Sequence, residues 1–438
     1  MAKDLLRFAT AGSVDDGKST LVGRLLYDTK SVLADQIEAV QRASVDKGLS
    51  TPDLSLLVDG LRAEREQGIT IDVAYRYFGT PTREFVLADT PGHVQYTRNT
   101  VTGASTAELA VLLVDARNGI VEQTRRHAAV LAMLRVPRLV LAINKIDLVG
   151  YDEETLRAIE KEFTGLARSL GFADDAVQTI PVSALVGDNV VERSAHTPWY
   201  GGPTLLGHLE TVPVVGPEVA KPFRMPVQYV IRPRDSADAR SAEASRWGAL
   251  HDYRGYAGQI AAGAVVPGDR VVVLPEGRET TVTHVETADG PLAEGTAGRS
   301  VTIRLADDID IARGDLLVAA EAQPVVTSEI DATLCWLSDK PLRANARLLL
   351  KHGTRTTQVI VGAPESKIDT DTLTDIEAEG TLGLNDIGRA TLRTADPLPV
   401  DEYADIRATG SFLLIDPPSG NTLAAGLVGT PLALSPAE

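Results

Sequence analysis

The segment from residue 12 to residue 19 contains two glycines, followed at its end by a lysine and a serine, at a spacing suited to holding phosphate groups. It reads G-x-x-x-x-G-K-S, between an apolar run (Leu5–Ala11) that predicts a buried strand and a run that predicts a helix. Glycines let such a loop curl until its N–H groups point inward, and the helix adds its positive dipole end. The predicted phosphate-binding residues are Gly12, Ser13, Val14, Asp15, Asp16, Gly17, Lys18, Ser19 and Thr20.

Two side chains of this loop are candidates for direct phosphate chemistry. We expect Lys18 to reach the β- and γ-phosphates of a nucleotide as a point charge, because a lysine ammonium is a compact cation. We expect the Ser19 hydroxyl to ligate Mg²⁺, which prefers oxygen donors.

A second motif, Asp89-Thr90-Pro91-Gly92 followed by His93, comes at the end of another apolar run. Its position lets the Asp89 carboxylate reach a water bound to Mg²⁺, and Gly92 lets a backbone N–H approach the γ-phosphate. His93 is the candidate for orienting the attacking water, the alternative being a structural hydrogen-bonding role.

Two further motifs fit the recognition of a base. Asn144, Lys145 and Asp147 follow the apolar run Leu139–Ile143, and a later apolar run precedes Ser183, Ala184 and Leu185. A carboxylate at Asp147 would accept from guanine N1–H and the exocyclic amine, a donor pair that adenine lacks. The Lys145 stem would lie along the base, and N–H groups of the Ser183 motif would meet guanine O6. The four motifs in this order predict a site for GTP and Mg²⁺.

The first 212 residues alternate strand-like and helix-like segments, which predicts an α/β domain with a mostly parallel sheet and helices on both faces. Each motif follows a predicted strand, and ligands of such sheets bind at the carboxyl ends of the strands. The irregular stretch 44–71 precedes the second motif, where GTPases place a segment ordered by γ-phosphate and metal. Thr70 would be the second hydroxyl ligand of the metal; the alternative is a β-favouring residue that starts a strand.

The rest of the chain changes character. Residues 213–222 hold three prolines and a glycine and predict a linker. Short β-rich runs with Gly/Pro turns then predict two barrels, over residues 223–322 and 323–438. Residues 233–252 interrupt the first barrel with a polar stretch that we expect to be an exposed loop.

Composition limits the partners and the compartment. The chain has 43 basic and 60 acidic side chains and a net charge of −17, which weighs against a nucleic-acid partner. No apolar run approaches the roughly 18–20 residues that span a bilayer, so we expect no membrane partner. The single cysteine, Cys335, predicts a buried core residue rather than a reactive thiol, and a cytoplasmic protein.

Several longer stretches resemble the translation-factor class of GTPases and, more narrowly, one family within it. The stretches are Gly12–Ser19, Asp59–Phe78, His93–Asn99, Pro198–Leu206, Phe223–Val230 and Arg254–Gly258. Together they are similar to the GTPase large subunit of the bacterial heterodimeric sulfate adenylyltransferase (ATP sulfurylase), closely over most of residues 5–320 and more loosely beyond.

The resemblance implies that GTP hydrolysis drives synthesis of adenosine 5′-phosphosulfate and pyrophosphate from ATP and sulfate. It also implies that a separate small catalytic subunit carries out the adenylyl transfer. By the same resemblance, Val14 and Ile69 would form an apolar gate beside His93.

Two other functions remain open at this point. An elongation-factor-like GTPase would deliver aminoacyl-tRNA; elongation factors are expected to carry histidine where this chain has Ser13 and Asp16, and the net acidity also opposes that function. A regulatory GTPase would bind its partner in a nucleotide-dependent way without affecting sulfate activation.

Overall fold

The computed structural model describes residues 4–46, 52–58, 73–92, 97–214, 218–232, 253–369, 372, 374–430 and 432. The chain forms two compact units. The first comprises residues 1–215 with 368–376 and 432–438, and the second comprises residues 216–367 with 377–431.

The first unit is built on a six-stranded sheet in the order β2-β3-β1-β4-β5-β6. Its strands are β1 (Asp4–Gly12), β2 (Ala74–Gly79), β3 (Arg83–Asp89), β4 (Leu109–Asp115), β5 (Leu139–Asn144) and β6 (Val177–Pro181). All neighbours are parallel except β2 and β3, which form an antiparallel hairpin. The carboxyl ends of five parallel strands therefore lie along one edge.

Helices cover this sheet. Those within the described residues are α1 (Lys18–Asp28), α2 (Ala34–Asp46), α3 (Thr97–Ala104), α4 (Glu122–Met133), α5 (Glu153–Ser169) and α6 (Leu205–Thr211). Every residue of β4 and β5 is buried, so both faces of the sheet are covered. One core joins Phe8 of β1 to Leu25 of α1 and Leu209 of α6. The Asp152 carboxylate caps α5 by accepting the N–H of Thr155 at 2.9 Å.

The second unit starts with a β-barrel. Its strands are β7 (Arg224–Pro226), β8 (Tyr229–Ile231), β9 (Gly255–Gln259), β10 (Ala264–Val265), β11 (Arg270–Leu274), β12 (Arg278–Thr287), β13 (Gly290–Leu292), β14 (Gly295–Thr296), β15 (Ser300–Leu305) and β16 (Leu316–Ala319). The main order is β7-β16-β11-β12-β15-β9-β8, and a bridge from Arg224 to Ala262 brings the first strand back to the segment after β9. Met225, Tyr256 and Ile303 lie in its core.

A second barrel follows along the chain. Its strands are β17 (Val325–Trp336), β18 (Leu342–Arg343), β19 (Ala346–His352), β20 (Arg355–Val361), β21 (Ser366–Asp369), β22 (Thr374–Glu377), β23 (Thr381–Leu382), β24 (Ile387–Val400), β25 (Ser411–Ile415) and β26 (Thr422–Val428). The sheet closes because β17 pairs with both β26 and β24. Cys335 is fully buried here, and burial raises the pKa of its thiol to about 12, which agrees with a core role.

A buried ion pair joins the two barrels. Arg224 of β7 donates Nε and Nη2 to the two carboxylate oxygens of Asp401, each at 2.9 Å. The Arg224 Nη1 also donates to the carbonyls of Phe223 and Ala322, and the Thr409 hydroxyl donates to Asp401 at 2.6 Å. This bidentate pair and its hydrogen bonds tie residues far apart in the sequence.

The predicted fold class is confirmed: a mostly parallel sheet covered by helices is followed by β-barrels. The segment 233–252, expected to be a loop, lies outside the described residues. No helix in the described ranges is both long enough and apolar enough to cross a membrane.

Candidate nucleotide-binding site

The predicted phosphate-binding segment, residues 12–19, is called the phosphate loop below. It lies between the end of β1 at Gly12 and the start of α1 at Lys18. Gly17 has a left-handed backbone (φ +93°), and a Cβ there would lie 2.4 Å from Asn144 Nδ2. A Cβ on Gly12 (φ +147°) would lie 2.9 Å from the Leu113 carbonyl oxygen. Glycine is therefore required at both positions of the motif, for conformation and for space.

Lys18 is directed into the loop rather than into solvent. Its Nζ donates to the carbonyls of Gly12 at 2.8 Å and Ser13 at 2.7 Å, and the residue is only 7% exposed. Burial lowers the pKa of Lys18, while the charges of Asp16, Asp89 and Asp15 oppose that shift. The ammonium thus lies where an anion entering the loop would meet it.

The second predicted motif reaches the same place from β3. Asp89 is fully buried and pairs in register with Thr10, whose hydroxyl donates to Asp89 Oδ1 at 2.9 Å. The Thr90 hydroxyl donates to the Thr10 carbonyl at 2.6 Å. A Cβ on Gly92 would lie 2.2 Å from Lys18 Nζ, so this glycine passes directly beside the lysine ammonium. Pro91, also buried, accepts a hydrogen bond from the Thr100 hydroxyl at 3.3 Å.

The predicted base-reading residues meet the phosphate loop through Asn144. Its Nδ2 donates to the Asp16 carbonyl at 2.7 Å, and its Oδ1 accepts the N–H of Ala184 at 2.9 Å. One buried side chain therefore holds both the phosphate loop and the loop that contains Ser183, Ala184 and Leu185. Asp147 lies just beyond, in a short 3₁₀ turn (Ile146–Val149).

Lys145 is held by an acidic residue that the sequence motifs do not include. Its Nζ lies 2.9 Å from Asp115 at the end of β4 and also donates to the Asp15 carbonyl. Asp115 accepts two further bonds from the Arg117 guanidinium, at 3.0 and 2.6 Å. These hydrogen bonds from Arg117 and Lys145 hold the pKa of Asp115 below its usual value despite burial. The sequence does carry one signal that could have identified Asp115. Like Asp89, it is an aspartate directly after an apolar run that predicts a strand.

His127 is a second unpredicted residue behind the phosphate loop. The ring is buried in α4, and its Nε2 lies 3.1 Å from Gln123 Nε2. Burial and the nearby Lys18 charge lower the pKa of His127 to about 3, although the backbones of Gly92 and Gly12 favour the protonated ring. The imidazole is therefore neutral at physiological pH. The helical spacing of the sequence around His127 did not indicate that this residue lies beside the phosphate loop.

Not every predicted residue can be placed. Thr70, His93 and Ile69 lie outside the described residues. Ser19 and Thr20 are half-buried at the start of α1, and Val14 is exposed at the top of the loop.

A third unpredicted residue, Arg24 of α1, supports the loop that contains Ser183, Ala184 and Leu185, which we predict to contact the base. Its Nε donates to the Ala184 carbonyl at 3.2 Å, and its Nη2 donates to the Leu185 carbonyl.

We predict that Arg24→Met weakens GDP binding about tenfold, because the Ala184 and Leu185 carbonyls lose their hydrogen bonds from a charged donor. Titration of a fluorescent GDP analogue measures the change, and Arg168→Met, an exposed arginine of α5, is the control. Equal affinities for the two variants would contradict this role.

Comparisons with known proteins show which families and relatives the chain resembles. Residues 3–216 match the family model "Elongation factor Tu GTP binding domain", and residues 329–429 match "GTP-eEF1A C-terminal domain-like". A "Bifunctional enzyme CysN/CysC" of Mycobacterium tuberculosis is 52% identical over 97% of this chain and 67% of its own length. A "Sulfate adenylyltransferase subunit 1" of Tolumonas auensis is 48% identical over 98% of this chain and 88% of its own. Another of that name, from Shewanella oneidensis, is 48% identical over 97% and 85%.

Proposed function

This chain belongs to the sulfate adenylyltransferase subunit 1 family, and on that basis we propose that it is the GTPase subunit of a sulfate adenylyltransferase. In this role, GTP hydrolysis drives formation of adenosine 5′-phosphosulfate and pyrophosphate from ATP and sulfate. The adenylyl transfer takes place on a separate small catalytic subunit, in a cytoplasmic complex.

The observation that supports the nucleotide part of this proposal is the convergence of four strand ends on one site. The Asn144 amide joins the phosphate loop to the Ser183 loop, and Gly92 passes beside Lys18. Phosphate-binding and base-reading groups thus belong to one connected arrangement, as a single nucleotide requires.

We assign roles within this site as part of the proposal. Lys18 and the loop N–H groups bind the β- and γ-phosphates, Gly92 brings its N–H to the γ-phosphate, and His93 orients the attacking water. Asp147 and the Ser183 loop read the guanine base, with Lys145 held along it by Asp115.

The donor set fits Mg²⁺. Ser19 offers a hydroxyl and Asp89 a buried carboxylate already oriented by Thr10, and hard oxygen donors of this kind suit that ion. Thr70 completes the set in this proposal. The ion would neutralise charge on the phosphate oxygens, while Lys18 and the loop hold the nucleotide in place.

The coupling step is also proposed. Residues 60–72 and 89–100 would respond to the γ-phosphate and thereby change the contacts made with the small subunit. The relatives do not favour the rival function of aminoacyl-tRNA delivery, because they carry the sulfate adenylyltransferase name over nearly the full chain.

Coupled turnover tests the proposal. The chain is co-expressed with candidate small subunits of sulfate adenylyltransferase, and GTP hydrolysis is measured with and without ATP and sulfate. We expect ATP and sulfate together to raise the GTPase rate at least about tenfold. In this proposal, residues 60–72 and 89–100 reach the arrangement needed for hydrolysis only in contact with a small subunit that is turning over. Lys18→Met is the control that should abolish the stimulated rate.

Two results would overturn the function. One is a GTPase rate that no small subunit stimulates, together with GTP-dependent binding of aminoacyl-tRNA. The other is GTP-dependent binding of the small subunit without any effect on adenosine 5′-phosphosulfate formation, which would indicate a purely regulatory GTPase.

A further inference from the structure

Asp16 places a carboxylate inside the phosphate loop itself. The residue is 5% exposed, and its Oδ2 accepts the backbone N–H of Ser13 at 2.6 Å. A Cβ built on Gly12 would lie 3.3 Å from the same oxygen. The carboxylate is thus enclosed by the backbone of the loop that is meant to hold anions.

The charges around Asp16 connect it to the phosphate-binding lysine. Burial raises the pKa of Asp16, and the charge of Lys18 is the largest effect that opposes this rise. Burial lowers the pKa of Lys18, and the charge of Asp16 is the largest effect that opposes that fall. Asp115 and Lys145 also act on Asp16, with opposite signs. The Asp16 carboxylate therefore offsets part of the positive electrostatic potential that Lys18 creates in the loop.

The structure also holds this anion in place. The Asp16 carbonyl accepts Asn144 Nδ2 at 2.7 Å, while its side chain is bound to Ser13. To leave the loop, the carboxylate would have to give up the Ser13 bond in a buried position. A bound phosphate would therefore lie near a negative charge that solvent screens poorly.

We propose that the Asp16 carboxylate weakens the binding of guanine nucleotide phosphates and so speeds release of GDP, without affecting recognition of the base. The inference rests on the proposed function, in which this loop holds GTP and GDP. It gives the loop a built-in means of releasing product, set by one charged side chain.

Asp16→Asn in the full chain tests the proposal, because the asparagine oxygen can still accept the Ser13 N–H while the charge is lost. We expect release of a fluorescent GDP analogue to slow by about fivefold to tenfold, with a matching fall in the dissociation constant. Guanosine carries no phosphate, so its affinity, measured by competition, stays unchanged.

Two matched variants accompany the test. Asp16→Ser removes the charge with a smaller side chain that also offers an acceptor, and it should slow GDP release in the same direction. Glu154→Gln removes one charge from an exposed position of α5 and should leave release unchanged.

Unchanged or faster GDP release in both neutral Asp16 variants would overturn the proposal. A parallel change in guanosine affinity would overturn it as well, because that result indicates a structural role. A wild-type chain that binds no guanine nucleotide would instead refute the proposed function, so the two failures are distinct.

Discussion

Asp147→Asn moves the base preference of the chain from guanine to xanthine. In our assignment the Asp147 carboxylate accepts two hydrogen bonds from guanine, and an amide would instead present a donor to one of the guanine donors. Xanthine replaces the exocyclic amine by a carbonyl, which restores a matched pair. We expect GDP affinity to fall at least about 100-fold and xanthosine diphosphate to become the better ligand, since an unmatched buried polar pair is costly.

Competition against a fluorescent nucleotide measures the two affinities. Asp152→Asn is the matched control: it makes the same chemical change five residues later, at the N-cap of α5, where asparagine caps as well as aspartate. A variant at Asp147 that keeps its guanine preference would show that the base site is wrongly assigned.

Asp401→Ala should destabilise the second unit by about 3–5 kcal/mol, because it leaves the Arg224 guanidinium buried without its counter-ion. Arg224 is 3% exposed and the Asp401 side chain 11%, so water cannot replace the lost carboxylate. Hydrogen exchange of the β17 and β24 amides during urea titration would measure the free energy of unfolding of the second unit separately from that of the first.

The double variant Arg224→Met/Asp401→Leu should recover much of that loss, since an apolar pair of similar volume avoids the cost of desolvating two charges. Glu329→Ala supplies the control, because its ion pair with Arg393 is exposed and long at 3.6 Å and should contribute little. Equal effects of Asp401→Ala and Glu329→Ala would contradict our account of the buried pair.

The proximity of the candidate site residues was predictable from the sequence where two local signals coincide. Apolar runs marked the strands, and the residues just after them are those we assign to the proposed site. Because parallel strands end at one edge, Gly12, Asp89 and Asn144 come together although the chain separates them widely. The fold class followed from the same alternation of strands and helices.

Contacts between distant elements were not predictable in this way. Arg24 resembles any polar helix residue until α1 is packed against the Ser183 loop, and Arg224 and Asp401 are 177 positions apart. Their roles depend on which surfaces meet, and side-chain periodicity does not encode that. His127 shows the same limit, since an occasional polar residue on a buried helix face has many explanations.

The two hydrogen bonds of the Asn144 amide have a consequence for how the site is organised. They tie loops 128 and 40 residues away in the sequence to the end of β5, so moving either loop away from this point breaks a buried hydrogen bond. The conformational entropy of ordering both loops is therefore lost during folding of the chain rather than when a ligand arrives. A ligand that contacts only one of the two loops therefore binds to a site in which the other loop is already ordered.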